Sequence, residues 1–309
     1  MNIKFDIIGR RYWWFLLSAL ILIPGLISML TQGFNLGIDF TGGMLADLQF
    51  NRPVTVLEIR EALKDYQLDD STIQLAGADK TDRVEAATNV FIRTRDMDEM
   101  ERRSVMAGLQ SKLGDFEVLR TEHVGAVIGS ELTKQAVGAV LAASVLMIIY
   151  LSYRFEFKFA VSGILALLHD VFMVLGLFSL LHKEIDATFV AAILTIVGYS
   201  INDTVVIFDR IRENLRTYRK TESLQELVNR SIWQTFTRSI YTVLTVLFAT
   251  ASLYIFGGET TRNFSLALLI GFASGAYSSI FNASPIWFTW KDYEERKRLA
   301  MRNLKTAKK

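Results

Sequence analysis

The run VGYSINDTVVIFDRIREN, Val197 to Asn214, begins like the interior of a membrane helix and then sets Asn202 and Asp203 among Ile201, Val205, Val206, Ile207 and Phe208. An acidic side chain inside a bilayer costs about 2.5–3.5 kcal/mol on insertion scales, so it persists only where a partner or a function offsets that cost. The stretch points to a bilayer-crossing helix with a polar group held inside it.

Composition agrees with a membrane protein. The 309 residues are 51% hydrophobic and 21% charged, with 21 Phe, against roughly 45–50% and 25% for soluble domains. The formal charge of +2 says little until the charges are placed. The chain has no cysteine, which excludes disulfides and Cys-ligated metal or Fe–S centres. Its three histidines, His123, His169 and His182, show no ligand pairing, so no metal site is expected.

Six apolar runs reach, or nearly reach, the ~20 residues that cross a bilayer. They are Tyr12–Leu30, Ala136–Tyr153, Phe159–Leu181, Phe189–Phe208, Ser239–Phe256 and Phe264–Phe288. The first follows Arg10 and Arg11 and lacks a small-x-small cleavage site, so it reads as an uncleaved anchor. Cations cluster on alternate connections: Lys4, Arg10 and Arg11; Arg154 and Lys158; Arg210, Arg212, Arg216, Arg219, Lys220 and Arg230; and the tail with Lys291, Arg296, Lys297, Arg298, Arg302, Lys305, Lys308 and Lys309. The turns His182–Thr188 and Gly257–Asn263 carry few. The positive-inside rule then gives one topology, a multi-pass chain with both termini cytoplasmic.

The segment Thr31–Gln135 is left outside, and it is acidic where the cytoplasmic parts are basic. Met44–Phe50 alternates as a strand. Pro53–Tyr66 is expected as a helix with Pro53 near its first turn and Val56, Ile59 and Leu63 on one face. Ser71–Ala76 and Asn89–Arg95 read as strands, Met97–Leu113 as a second helix and Phe116–Thr121 as a closing strand. The order β-α-β-β-α-β predicts a ferredoxin-like α+β domain. The expected division is residues 1–30 for the N-terminus and first span, 31–135 for the external domain, 136–290 for the remaining spans and 291–309 for a basic tail. No nucleotide fingerprint, Walker loop or nucleophile elbow occurs.

Polar residues inside the spans form the candidate site. His169 and Asp170 lie about ten residues into the third span, roughly 15 Å deep, where His169 could hold its neighbour. Asp203 lies nearer the cytoplasmic end of the fourth span. Arg238 enters the fifth span from the same side and could meet Asp203 if the two spans are neighbours. Asp209, beside Arg210 and Arg212, reads as an interfacial charge. Asn202, Thr242, Thr245, Ser278, Ser279 and Asn282 form a possible polar seam that could relay protons to Asp203. Gly271 and Gly275 are a small-xxx-small pair suited to close packing, including packing against the second half of a larger bundle. In GIDFTGG, Gly37, Gly42 and Gly43 permit tight turns where span and domain join. Asp39 could cap or hydrogen-bond that junction and Phe40 dock on it, and the joint could act as a hinge.

FNLGIDFTGG, LLHDV, GYSINDTVVIFDRIREN, FGGETTRNFSLALLIG and GAYSSIFNASP together resemble the SecD/SecF family of protein translocase subunits, over nearly the whole chain. The resemblance implies a six-span half-bundle akin to the resistance-nodulation-division (RND) pumps, completed to twelve spans by SecD. It implies a non-enzymatic subunit of the cytoplasmic (inner) membrane working beside the SecYEG channel with YajC. Such a subunit draws unfolded polypeptide outward on the proton motive force, with protons as coupling ion and no other cofactor. Asp203 matches the family's proton-carrying aspartate and Arg238 the arginine near it. The chain departs from the pattern at Tyr241, Val243 and Val246, where small hydroxyl residues are expected. A proton-driven exporter of small molecules or lipids is the alternative. An intramembrane aspartyl protease using Asp170 and Asp203 does not fit, because SIN precedes Asp203 where GxG is needed. Nothing points to nucleic acid.

Overall fold

Arg11–Thr31 forms the first long helix, α1, and opens a set of six helices, among the described residues, long and apolar enough to cross a membrane. The others are α5 (Ala126–Arg154), α6 (Phe157–Leu180), α7 (Ala187–Arg216), α8 (Leu224–Phe256) and a sixth span built from α9 (Glu259–Ser278), a π-helical turn (Ser279–Ala283) and α10 (Ser284–Thr306). The chain is therefore a multi-pass membrane protein. This computed structural model describes residues 5–76, 86–218 and 222–306, without the side chains of 259 and 302–306. Lys4, Arg219, Lys220, Lys308 and Lys309, and the side chains of Arg302 and Lys305, lie outside the described residues.

Several helices outrun their apolar cores because capping residues set their starts. The Asp186 carboxylate accepts from the Phe189 amide at 2.7 Å, which starts α7 two residues before its apolar run. Ser223 and Glu226 form a reciprocal capping box that starts α8 well before Ser239. α5 begins at Ala126, ahead of the apolar run that starts at Ala136. Two units result, Met1–Asn35 with Ala139–Lys309, and Leu36–Gly138.

In the helical unit, α6, α7 and the sixth span form the centre. Of their most apolar stretches, 56%, 50% and 56% of residues are buried, against 17%, 6% and 17% for α1, α5 and α8. Small residues explain the packing. Gly25 of α1 and Gly176 of α6 face each other so closely that a Cβ on Gly25 would lie 2.8 Å from the Gly176 Cα. Gly271 and Gly275 pack against Ile196 and Ser200 of α7. The small-residue pair is thus used within the chain and not against a second half, because it faces α7. Phe159 stacks on Trp287 at 4.5 Å and lies 4.9 Å from Phe208, joining α6, α10 and α7. The N-terminal segment is tied to α8, where the Asn229 carbonyl oxygen accepts the Ile7 and Ile8 amides at 3.0 and 3.1 Å.

Among the described residues the second unit has a four-stranded sheet, β1 (Gly43–Thr55), β2 (Thr72–Ala76), β3 (Ala86–Thr94) and β4 (Phe116–Val124), in the antiparallel order β2-β3-β1-β4. With α3 (Val56–Lys64) and α4 (Glu99–Leu113) between strands, this is the predicted ferredoxin-like arrangement. Met44, Ala46 and Leu48 of β1 and Val90 and Ile92 of β3 alternate onto a core completed by Ile59, Leu63, Val105 and Leu109. One local expectation fails. Pro53 lies in β1 and not in the first turn of α3, because Thr55 and Glu58 form a capping box that starts the helix at Val56. A register shift between Gln49 and Val54 accommodates the proline. The Thr55 amide, with the Arg52 guanidinium, holds the Glu58 carboxyl below the usual carboxylate range.

Candidate functional site

One stripe of α7 organises the buried polar groups. Ser200, Asp203 and Thr204 are spaced three and four residues apart, so they share a helix face. Each reaches a different neighbour. Ser200 Oγ donates to Asp170 of α6 at 2.6 Å. Asp203 Oδ1 accepts from Ser239 Oγ of α8 at 2.5 Å. Thr204 and Ser279, in the π turn, share a 2.8 Å hydroxyl–hydroxyl bond.

The two carboxylates differ in how well they are satisfied. Asp170 is completely buried and its oxygens meet four groups. Ser274 Oγ donates to Oδ1 at 2.7 Å, Ser278 and Ser200 donate to Oδ2 at 2.7 and 2.6 Å, and His169 Nδ1 lies 3.1 Å from Oδ1. Asp203 is 7% exposed and, among the described residues, has only the Ser239 bond; its buried Oδ2 has no hydrogen-bond partner among them. That open oxygen can take a proton without displacing anything. The carboxylates share no partner, so they do not form a protease dyad.

The expected Asp203–Arg238 pair is not formed. Arg238 is exposed, makes no ion pair among the described residues, and acts on Asp203 only as a nearby charge. The reason is helical geometry: one residue turns the chain by about 100°, so with Ser239 buried against α7 its neighbour must face away. The polar seam does not converge on Asp203 either. Ser278 serves Asp170 and Ser279 serves Thr204, while Asn282 exchanges hydrogen bonds with Ser18 of α1 at 3.0 and 3.2 Å. Thr242 and Thr245 are exposed and return their hydroxyls to carbonyls of their own helix, and Asn202 is exposed. Asp209 forms a two-oxygen pair with Arg154 at 2.7 and 2.8 Å.

At the junction, Gly37 occupies the N-cap of a single turn, α2 (Ile38–Thr41), and Asp39 sits inside that turn and not at its cap. Phe40 is half-buried. Gly42 and Gly43 have φ of +73° and +123°. A Cβ on Gly42 would sit 2.8 Å from the Ala126 Cα, and one on Gly43 would sit 2.3 Å from the Thr94 carbonyl oxygen. Backbone conformation and space both demand glycine. Gly129 in the first turns of α5 is pressed on the same turn, its would-be Cβ 2.9 Å from the Gly42 nitrogen.

Ser200, Ser239 and Ser274 were missed from sequence. Ser200 and Ser274 carry a retrievable signal, since each lies three or four residues before a polar residue already singled out, Asp203 and Ser278. Ser239 was masked by the charge of Arg238 beside it.

Known proteins resemble this chain in sequence and fold. The family model described as "Protein export membrane protein SecD/SecF, C-terminal" matches residues 104–293, and the "SecD/SecF GG Motif" matches residues 27–54, which include Gly42 and Gly43. The protein translocase subunit SecF of Acidaminococcus fermentans is 52% identical over 93% of this chain and 98% of its own length. The protein translocase subunit SecDF of Bacillus subtilis is 39% identical over 95% of this chain, which spans 39% of that protein. The crystal structure of SecDF, a translocon-associated membrane protein from Thermus thermophilus, superposes with a TM-score of 0.85 at 34% identity, covering 94% of this chain and 40% of that one. With six spans, a ferredoxin-like unit and these matches, the chain belongs to the SecD/SecF family of protein-export translocase subunits.

Proposed function

We propose that the chain is one half of a proton-driven accessory machine for Sec-dependent export, working with a SecD subunit in the cytoplasmic membrane. Both termini and the basic connections are cytoplasmic, by the distribution of Arg10, Arg11, Arg154, Arg210 and Arg212. The α+β unit is external and meets polypeptide leaving SecYEG, with YajC as a further partner. Protons are the coupling ion, no other cofactor takes part, and no covalent chemistry is catalysed. The SecD partner is supported by the two SecDF relatives, in which a segment like this chain accounts for about two-fifths of one longer polypeptide.

One observation carries the reading: Asp203 is a buried carboxylate with one satisfied and one open oxygen, on a central helix. Ionised, it is drawn to the Ser239 hydroxyl and to the Arg238 charge, both on α8. Protonated, it loses most of that attraction, which biases α7 and α8 between two arrangements. A proton descending ~100 mV releases about 2.3 kcal/mol, which biases a two-state element by tens of fold. The α+β unit converts that bias into outward movement of substrate.

Asp203→Asn preserves shape but cannot carry the proton. It is expected to abolish gradient-dependent secretion of a reporter in cells relying on the variant, at unchanged abundance by immunoblot. Wild-type secretion from a normally abundant Asn variant would refute the reading.

A further inference from the structure

We infer that the ends of α5 and α7, on the side proposed above as cytoplasmic, form a cleft that binds the phosphate ester of an anionic phospholipid headgroup. Residues 208–214, FDRIREN, supply much of it, and the function proposed above makes no use of their charges.

The cleft holds about 250 Å³ and is lined by Arg154, the last residue of α5, and by Asp209, Arg212, Glu213 and Arg216 of α7. Every lining side chain is charged. Pockets that enclose whole small molecules run to roughly 300–1,000 Å³, so this smaller space suits one compact ionic group. Helical spacing builds it. Residues 209, 212, 213 and 216 lie three and four apart and share one face of α7.

The sign of the ligand follows from which charges already have partners. Both oxygens of the Asp209 carboxylate accept from Arg154, at 2.7 and 2.8 Å. Glu213 accepts from Arg210 at 2.7 Å. Both carboxylates are therefore matched, while two guanidiniums are not. Arg212 donates one N–H to the main-chain carbonyl oxygen of Arg154 at 3.3 Å, and Arg216 makes no hydrogen bond or ion pair among the described residues. The two lie four residues apart and line the same cleft. A guanidinium carries a planar fork of N–H donors that matches two oxygens of a phosphate. A cation would meet this surplus positive charge as repulsion, and a neutral ligand would leave it unpaired.

The surroundings identify the source of the phosphate. α5 is the least buried of the six spans, at 6% of its most apolar stretch. The turn leading into Arg154 exposes Ile149, Tyr150 and Tyr153, at 58%, 46% and 93%. Tyrosines at a span end sit at headgroup level, and a basic pocket between spans on the cytoplasmic side suits an anionic headgroup. A phospholipid reaches the cleft with its phosphate while its acyl chains lie along the exposed apolar face of α5. A soluble phosphate makes no use of that face.

The test uses the full-length chain purified from native membranes with the subunits that accompany it. It is placed in nanodiscs of phosphatidylcholine with a minor share of phosphatidylglycerol, and native mass spectrometry counts the phosphatidylglycerol that stays bound on release. Wild type is expected to retain it. Arg212→Gln with Arg216→Gln is expected to weaken retention roughly twentyfold, about fivefold for each cation. Arg296→Gln with Lys297→Gln removes the same charge from the basic tail and is expected to leave retention unchanged. A wild type that retains none, a cleft variant that retains it fully, or equal losses in both variants overturns the inference. Millimolar inorganic phosphate separates the two sources. The lipid is expected to stay bound, and its complete exchange would assign the cleft to a soluble phosphate and overturn the lipid reading. A photoreactive phosphatidylglycerol labelled on its headgroup tests the site in the wild type, without relying on any variant to fold. It is expected to label peptides within 150–158 and 205–218, and labelling confined to other segments overturns the assignment.

Discussion

At position 239 a single hydroxyl decides what Asp203 touches. Ser239→Ala leaves that buried carboxylate with no hydrogen bond at all, a loss of about 1–3 kcal/mol for an unsatisfied polar group. It is expected to lower secretion and, to a lesser degree, abundance, while Ser239→Thr restores both because a hydroxyl returns. Arg238 acts differently, as an exposed charge near Asp203 and not as a hydrogen-bonded partner. Arg238→Lys is therefore expected to retain most secretion and Arg238→Met to lose it. Equal loss in both would show that the guanidinium geometry matters and that the two side chains meet in another state. Asp203 was legible in the sequence because nothing around it excuses a charge. Its partner was not, because choosing between adjacent residues of α8 requires knowing which face of that helix meets α7, and charge favours the wrong one.

At the scale of elements, capping and punctuation explain what sequence reading found and what it lost. The strands and helices of the α+β unit were legible because apolar residues alternate on one face and recur at helical spacing. The start of α3 was misplaced because Pro53 drew attention ahead of the Thr55–Glu58 box. The π turn was not read at all, although its cause is visible: Pro285 has no amide to complete the α-helical ladder, and the chain takes up the break over Ser279–Ala283. The Gly42–Gly43 turn is held between β3 and the start of α5 by backbone contacts. Gly42→Val or Gly43→Val is expected to destabilise the α+β unit itself, seen as proteolysis within 36–138 at protease levels that spare the wild type. Gly33→Ala also meets a positive φ, of +68°, but has open space around it and should cost far less, about 1 kcal/mol. Equal resistance in the Gly33 and Gly43 variants would mean that the close approach is not what the second glycine serves.

On the function proposed above, the helical unit is half of a bundle, and its exposed polar groups mark the face where the other half is expected. Six spans were legible because each is apolar over nearly its whole length, but for the same reason the sequence did not separate the central α6, α7 and sixth span from the peripheral three. That division follows from where glycine and serine let helices touch. On the outer faces, α1 presents Leu20, Ile23 and Ile27, fit for lipid. The outer faces of α7 and α8 present Asn202 and Arg238, whose side chains form no hydrogen bond or ion pair among the described residues. Arg238 stands at the cytoplasmic end of its span, where an exposed guanidinium reaches toward the interface, and this polar face is the one a SecD partner is expected to cover. Thr242 and Thr245 lie on the same side of α8. The chain has no cysteine of its own, so single replacements report cleanly. Cysteines at 202 and 242 are expected to crosslink to cysteines placed in the corresponding spans of SecD, whereas cysteines at 20 and 27 are not. If all four positions crosslink alike, the interface is not on this face. If none does, and the purified chain alone drives gradient-dependent transport in vesicles, the half-bundle reading fails, and Arg238 must be covered by water or by a second copy of the chain.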